Sequence, residues 1–188
     1  FNAQRRYPKE ELLRFLGVNF FSNTEIKERK NIKVLEVGCG SCANLWMIAK
    51  EGFDAYGLDL SEEALLLGKK MLTSWETEAN LQLGSFTSLP YEDSSFDVVV
   101  DVLAMSCVDH ESYLTGINEI YRVLKKNGLF FSYTPNQNSD SFKDYKPALK
   151  IDKWTLSGLY RKDGFGAGNH YPFHFWDKRS LMEVLINT

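Results

Sequence analysis

Cysteine, excess charge and long apolar runs are all scarce in these 188 residues, and each scarcity excludes something. Cys39, Cys42 and Cys107 are too few and too irregularly spaced for a disulfide framework, which fits a reducing compartment and leads us to expect a cytoplasmic protein. Cys39-x-x-Cys42 has no second pair to complete a zinc site and falls inside a glycine turn, so no metal is expected there. Lysine and arginine total 22 against 25 acids, a net charge of −3. Without a basic excess to neutralise phosphates, a nucleic-acid partner is not expected. No run approaches the roughly 18 apolar residues that cross a bilayer, and no membrane association is expected. No signal peptide is visible, although the chain opens on Phe1 rather than Met. Repeats and low-complexity tracts are missing as well.

What remains is an ordinary globular composition, 44% hydrophobic and 25% charged, long enough for one domain with a substantial core. Pro8–Phe20 reads as a short amphipathic helix. Ile32–Val37 is a continuous apolar run, as for a strand covered on both faces. A helix over Cys42–Lys50 follows, closed by Gly52, and then a strand over Ala55–Leu58. Ser61 is placed to cap a helix running toward Trp75, with Glu62 and Glu63 in its first turn. Leu81–Gly84 and Phe96–Leu103 read as strands on either side of the turn-rich Ser88–Ser95. The stripe Leu114, Ile117, Ile120, Tyr121 and Leu124 predicts a helix over Glu111–Lys126, with Lys125 and Lys126 in its last turn and Gly128 beyond. Leu129–Thr134 is a further strand, stopped by Pro135.

This alternation predicts an α/β fold: a Rossmann-like, doubly wound, mostly parallel sheet with helices on both faces. Residues 1–188 form one domain in this reading. Residues 1–30 are an N-terminal helical cap, 31–135 the core and 136–176 an aromatic insertion, before a last amphipathic helix over Ser180–Asn187. The chain stops without the further strands such a sheet often carries, so a C-terminal continuation is expected.

The most specific segment is NIKVLEVGCGSCA at Asn31–Ala43, followed by FDAYGLDLS at Phe53–Ser61. Gly38, Gly40 and Ala43 fit the pattern G-x-G-x-x-G/A between a strand and a helix. Asp59 ends the next strand, where a ribose-binding carboxylate is expected. These residues point to a bound nucleoside. In such sheets ligands sit beyond the carboxyl ends of the strands. The glycine turn, Asp59, Gly84–Phe86 and Asp101–Ser106 all fall at those ends.

Together with LPYEDSSFDVVV at Leu89–Val100 and EIYRVLKKNGLFFSYTP at Glu119–Pro135, these segments resemble the class I S-adenosylmethionine-dependent methyltransferases, small-molecule enzymes of the type 11-like group, over roughly Ile32–Pro135. The resemblance implies S-adenosylmethionine as cofactor, with S-adenosylhomocysteine as product. It implies that Gly38, Cys39 and Gly40 seat the methionine and ribose parts. Glu36 fixes the loop or receives the ligand's ammonium through water, and Asp59 accepts from both ribose hydroxyls. Leu60 and Phe86 flank the adenine. Ser85 stands where the family commonly has an acid, a departure that shifts adenine recognition toward stacking and backbone groups. Asp101 and Leu103 fall in the stretch that lines the methionine end. Arg6-Tyr7-Pro8 resembles a segment that folds over the cofactor, which makes Tyr7 a candidate cover.

Transfer from a sulfonium needs mainly placement of the acceptor and exclusion of water. A hydroxyl acceptor also needs a base. Of the three histidines, His110 follows the fourth strand and is the first candidate, while His170 and His174 lie in the aromatic segment and are alternatives. That segment, Trp154–Trp176, reads as an acceptor-binding lid, and Gly164, Gly166 and Gly168 would let it move. The expected activity is O- or N-methylation of a small molecule by in-line displacement. An NAD-binding oxidoreductase, or a binding module without turnover, stays open on the glycine pattern.

Overall fold

The structure, a computed structural model, describes residues 5–159 and 171–187. Gly164, Gly166, Gly168 and His170 lie outside the described residues.

Five strands form the main sheet: β1 (Lys33–Val37), β2 (Asp54–Asp59), β3 (Asn80–Leu83), β4 (Phe96–Val102) and β5 (Leu124–Tyr133), in the order β3-β2-β1-β4-β5. Every neighbouring pair is parallel. The chain steps outward from β1 to β3 and then returns to set β4 on the other side of β1. The reversal between β1 and β4 is the topological switch point of a doubly wound sheet.

The helices are α1 (Glu10–Leu16, continued by a π-helical turn Gly17–Phe21), α2 (Leu45–Lys50), α3 (Glu62–Ser74), α4 (His110–Val123), α5 (Asp140–Lys143) and α6 (Lys178–Asn187). Strand residues alternate between the two helical layers. Val34, Val98 and Val100 pack with Leu12 and Leu16 of α1, Leu45 and Ile48 of α2, and Leu65 and Leu72 of α3. Leu35, Val37 and Val99 face the other way, toward Tyr113, Ile117 and Ile120 of α4. Each such side chain withdrawn from water contributes about 1.5–3 kcal/mol. The caps are local: Ser61 accepts from Ala64 N at 3.1 Å at the start of α3, and Asp109 accepts from Ser112 N at 2.8 Å at the start of α4.

Two boundaries differ from the sequence reading. Residues 41–44 are turns and α2 begins only at Leu45, because Cys42 takes a left-handed φ of 61°. α4 stops at Val123, so Lys125, Lys126 and Gly128 belong to β5 rather than to a helix end. Leu124 pairs with Phe96, the register breaks between Phe96 and Val98, and Lys125 reaches Asp97 at 2.8 Å. Pairing along β4 outweighs the helix-stop signal of the lysines and glycine.

Within 136–176 the chain forms a small antiparallel sheet of β6 (Leu149–Lys150), β7 (Thr155–Ser157) and β8 (Phe173–His174) over a cluster that includes Leu156, Phe173 and Phe175. Trp176 and Leu181 join the α4 layer, so this segment lies against the core. Among the described residues, no helix is long and apolar enough to cross a membrane.

Candidate active site

The loop after β1 turns on three left-handed residues, Gly38 (φ 63°), Gly40 (φ 53°) and Cys42. Glycine is required at Gly38 for a second reason: a Cβ there would overlap the Cβ of Ala104, which follows β4. Glycine at this position lets the two carboxyl ends flanking the switch point close on each other. Asp59 ties the next strand to this loop. Its Oδ2 accepts from Gly40 N at 2.8 Å and its Oδ1 from Ser61 N at 2.9 Å. A carboxylate has about four lone-pair sites, so Asp59 keeps acceptor capacity on its open side.

Gly38, Leu58, Asp59, Leu60, Gly84, Phe86, Ala104, Cys107 and Val108 line one cleft of about 300 Å³ at the carboxyl edge of the sheet. It brings together Gly38, Asp59, Leu60 and Phe86 from three separate stretches of sequence. Phe86 is buried, and a Cβ on Gly116 of α4 would meet its ring at 2.7 Å, so its position is set by the core. Leu60 is exposed and free to cover a ligand. Cys107 and Val108 were not read from the sequence as cleft residues. The signal for them was only their position just after β4.

The remaining sequence candidates serve the walls. Cys39 is buried; its N–H donates to Leu58 O at 3.0 Å, and its sulfur stands where a Cβ on Gly57 would be. Cys39 therefore shapes the loop and offers no side-chain atom to the cleft. Cys42 fills the corresponding space against Gly68. Ser85 is absent from the lining; its hydroxyl is 2.7 Å from Thr87 Oγ1 and accepts from Thr87 N. Asp101 is a correction to the expected cleft residue: it is fully buried, accepting from Met105 N at 3.0 Å and Ser132 Oγ at 2.9 Å. It pins the turn after β4 and thereby places Ala104. Leu103, at φ 71°, donates its N–H to Tyr133 O and shapes the same turn without lining the cleft.

Glu36 lies beneath the loop at 2% exposure. Its Oε1 accepts from Asn44 Nδ2 at 2.6 Å, while its Oε2 is buried with no partner among the described residues. Burial pushes its carboxyl up to about 8 and that of Asp101 up to about 6. Asn44, unremarked in the sequence, also accepts from Lys9 N at 2.9 Å and so joins β1, α2 and the N-terminal segment. Further contacts hold that segment across the loop: Trp46 Nε1 donates to Arg6 O at 3.1 Å and Ser41 Oγ to Arg5 O at 3.4 Å. Tyr7 is not brought to the cleft. It packs edge-on against Trp75, 6.1 Å between centroids, and lines a separate cavity with Arg6, Ser41 and Lys70.

His110 opens α4, just after Val108 of the cleft. Its Nδ1 is 2.9 Å from His174 Nε2, and its ring stacks on Trp154 at 3.9 Å. Burial lowers both imidazoles, His174 to about 4.

The arrangement suits S-adenosylmethionine on its own geometry. A glycine-lined wall admits close approach, a carboxylate stands at the end of β2, an apolar shelf runs along Leu60 and Phe86, and an unsatisfied carboxylate oxygen lies under the loop. Comparison with known proteins agrees. Residues 34–128, half of the chain, match the family described as "Methyltransferase domain". A demethylmenaquinone methyltransferase of Staphylococcus epidermidis is 37% identical over 85% of this chain and 68% of its own length. A protein of Haemophilus influenzae described as uncharacterized is 28% identical over 71% of this chain, and the chain spans 58% of its length. Among solved structures, an S-adenosylmethionine-dependent methyltransferase of Methanosarcina mazei superposes with a TM-score of 0.69 at 23% identity, covering 82% of this chain and 77% of that one. A Pyrococcus horikoshii protein gives a TM-score of 0.65 at 20% identity, covering 94% and 88%.

Proposed function

The chain belongs to the methyltransferase-domain family, with the class I S-adenosylmethionine-dependent fold, and from that premise we propose that it methylates a small-molecule acceptor. The observation carrying this reading is the convergence of Gly38, Asp59, Gly84, Phe86 and Ala104 on one cleft at the switch point between β1 and β4.

When bound, S-adenosylmethionine supplies an electrophilic methyl group on a sulfonium. The chain's own residues bind, orient and exclude water. Gly38 and Gly40 let the backbone approach the ligand. Asp59 receives the ribose hydroxyls in charge-assisted hydrogen bonds. Leu60 and Phe86 hold the base, and Glu36 with Asn44 keeps the loop in place. Ala104, Cys107 and Val108 wall the cleft on the β4 side. Placing a methyl donor and acceptor in line supplies on the order of 7–11 kcal/mol of the barrier. The name of the Staphylococcus epidermidis relative nominates demethylmenaquinone as the first acceptor to test.

The test is calorimetry and thermal denaturation with S-adenosylhomocysteine and, separately, with NADH. Binding of S-adenosylhomocysteine at a hundred times its dissociation constant stabilises by about 2.7 kcal/mol. Stabilisation by NADH alone would replace this reading with a dinucleotide-binding oxidoreductase. Release of S-adenosylhomocysteine in the presence of demethylmenaquinone then tests the acceptor.

A further inference from the structure

α3 has more than one working face. Leu65, Gly68 and Leu72 are buried against the core. Leu67, Lys70, Met71, Ser74 and Trp75 recur at spacings of three and four, so they share a different face. That face walls a cavity of about 400 Å³, bounded otherwise by Arg6 and Tyr7 of the N-terminal segment and by Ser41 of the glycine loop. The cavity has no lining residue in common with the cleft at the switch point, so its occupant is a second ligand and not the methyl donor or acceptor.

The apolar walls are fixed. Trp75 stacks on Trp46, 3.9 Å between centroids with the planes 5° apart, and its carbonyl accepts from Lys50 Nζ at 3.1 Å. Tyr7 stands edge-on to it, and the Arg6 carbonyl beside Tyr7 is held by Trp46 Nε1. Ser41 is only 8% exposed, yet its hydroxyl finds Arg5 O at 3.4 Å, a long bond that leaves it able to turn to a ligand. The charges are one-sided. Arg6 and Lys70 are both exposed cations, and among the described residues no carboxylate lines the cavity and neither cation makes an ion pair.

We propose that this cavity binds a second small molecule, a flat aromatic ring carrying an anionic group, either carboxylate or phosphate. The walls select the ring: an indole, a phenol, a thioether and Leu67 offer polarisable, largely apolar surface, and the volume is that of a small-molecule site. The cations select the anion. Arg6 brings a planar fork of donors and Lys70 a compact ammonium, each from a different element, and Ser41 adds a hydroxyl from the loop. Water screens both cations, so charge by itself binds weakly and the ring supplies the remainder. A neutral ring gains none of the charge-assisted bonds, and a cationic ring is repelled by both residues. A bound anion of this kind touches the N-terminal segment, the glycine loop and α3 at once. The site stands beside the methyl-transfer reading and does not rest on it.

Calorimetric titration of the ligand-free protein with naphthoate and with naphthyl phosphate tests this, against naphthamide, acetate and inorganic phosphate. The expected result is one-site binding of at least one naphthyl anion, with naphthamide, acetate and inorganic phosphate each weaker by about tenfold or more. The tighter of the two anions identifies the charged group. Lys70→Glu and Arg6→Gln, both at exposed positions where folding is not at stake, should each weaken that binding by about tenfold or more. Lys70→Glu should leave the affinity for S-adenosylhomocysteine unchanged, because Lys70 lies outside the cleft, and saturating S-adenosylhomocysteine should not displace the naphthyl anion. Failure of both naphthyl anions to bind, equal binding of naphthamide, or equal binding of acetate and inorganic phosphate overturns the proposal. So does displacement by S-adenosylhomocysteine, or full affinity in both variants. A protein that binds the naphthyl anion but not S-adenosylhomocysteine keeps this site and loses the methyl-transfer reading.

Discussion

Gly38 and Ala104 meet across the ends of β1 and β4 so closely that a Cβ on Gly38 would clash with the Ala104 methyl. Gly40, two residues on, has the same left-handed backbone but open space where its Cβ would go. The pair separates two effects that usually occur together. Left-handed backbone costs a β-carbon about 1–2 kcal/mol, and overpacking adds about 1–3 kcal/mol. Gly40→Ala should therefore show only the first, and Gly38→Ala both. Urea denaturation, with calorimetric titration of S-adenosylhomocysteine, measures the difference. Equal losses at the two sites would mean that the Ala104 contact is not what the glycine serves.

Asp59→Ala removes a carboxylate that accepts from both Gly40 N and Ser61 N. Affinity for S-adenosylhomocysteine should fall by about 1.5–3 kcal/mol, the scale for hydrogen bonds to a charged group. Calorimetry giving an unchanged dissociation constant would take Asp59 out of the ligand site and leave it only its loop contacts.

Glu36 predicts a slope in stability with pH. Its folded-state value of about 8 lies above the unfolded 4.5, so between these pH values the folded chain holds a proton that the unfolded chain has lost. Its contribution is fully present below about 4.5 and is lost as pH rises through about 8. Asp101 acts in the same sense between 3.8 and about 6. His174, lowered from 6.5 to about 4, acts in the opposite sense below 6.5, which makes 6.5 to 8 the diagnostic window. There the ligand-free protein should lose stability as pH rises, and Glu36→Gln should flatten the slope. Urea midpoints at three pH values in the window decide it; a rising midpoint in the unaltered protein would contradict the burial argument.

Arg122 locks the segment before β4 in place. It bonds both oxygens of Glu119 at 2.7 and 2.8 Å, Tyr91 O at 2.8 Å, Leu89 O at 3.0 Å and Asp93 at 2.9 Å, while Glu119 accepts from Leu89 N. A lysine cannot reproduce that planar fork. Arg122→Lys should cost about 1–3 kcal/mol of stability, read by chemical denaturation, with little change in ligand affinity. A variant as stable as the parent would show that the network contributes nothing net.

Much of the core was legible because its signals are local. The valines of Val98–Val100 can only be a strand buried on both faces, Ser61 caps α3 through its own third neighbour, and Gly38 marks a turn that side chains disfavour. The end of α4 was misread because Lys125 and Gly128 look like a helix stop, whereas Asp97 and Phe96 recruit that stretch into the sheet. The small β6-β7-β8 sheet gave no periodic signal, since its strands are two or three residues long. Asp101 read as an open strand end because nothing nearby in sequence announces Ser132 as its partner.

The order of residues by itself determined a parallel sheet, a glycine bend after its first strand and an acid closing the second. Backbone sterics and hydrophobic periodicity act over a few neighbours, and those neighbours are written in the chain. Tertiary structure alone decided that Ala104 closes against Gly38, that Asn44 secures Glu36, and that His110 bonds to His174 across 64 positions. Such pairings depend on which chain ends a sheet brings together, and packing sets that only once the whole core has formed.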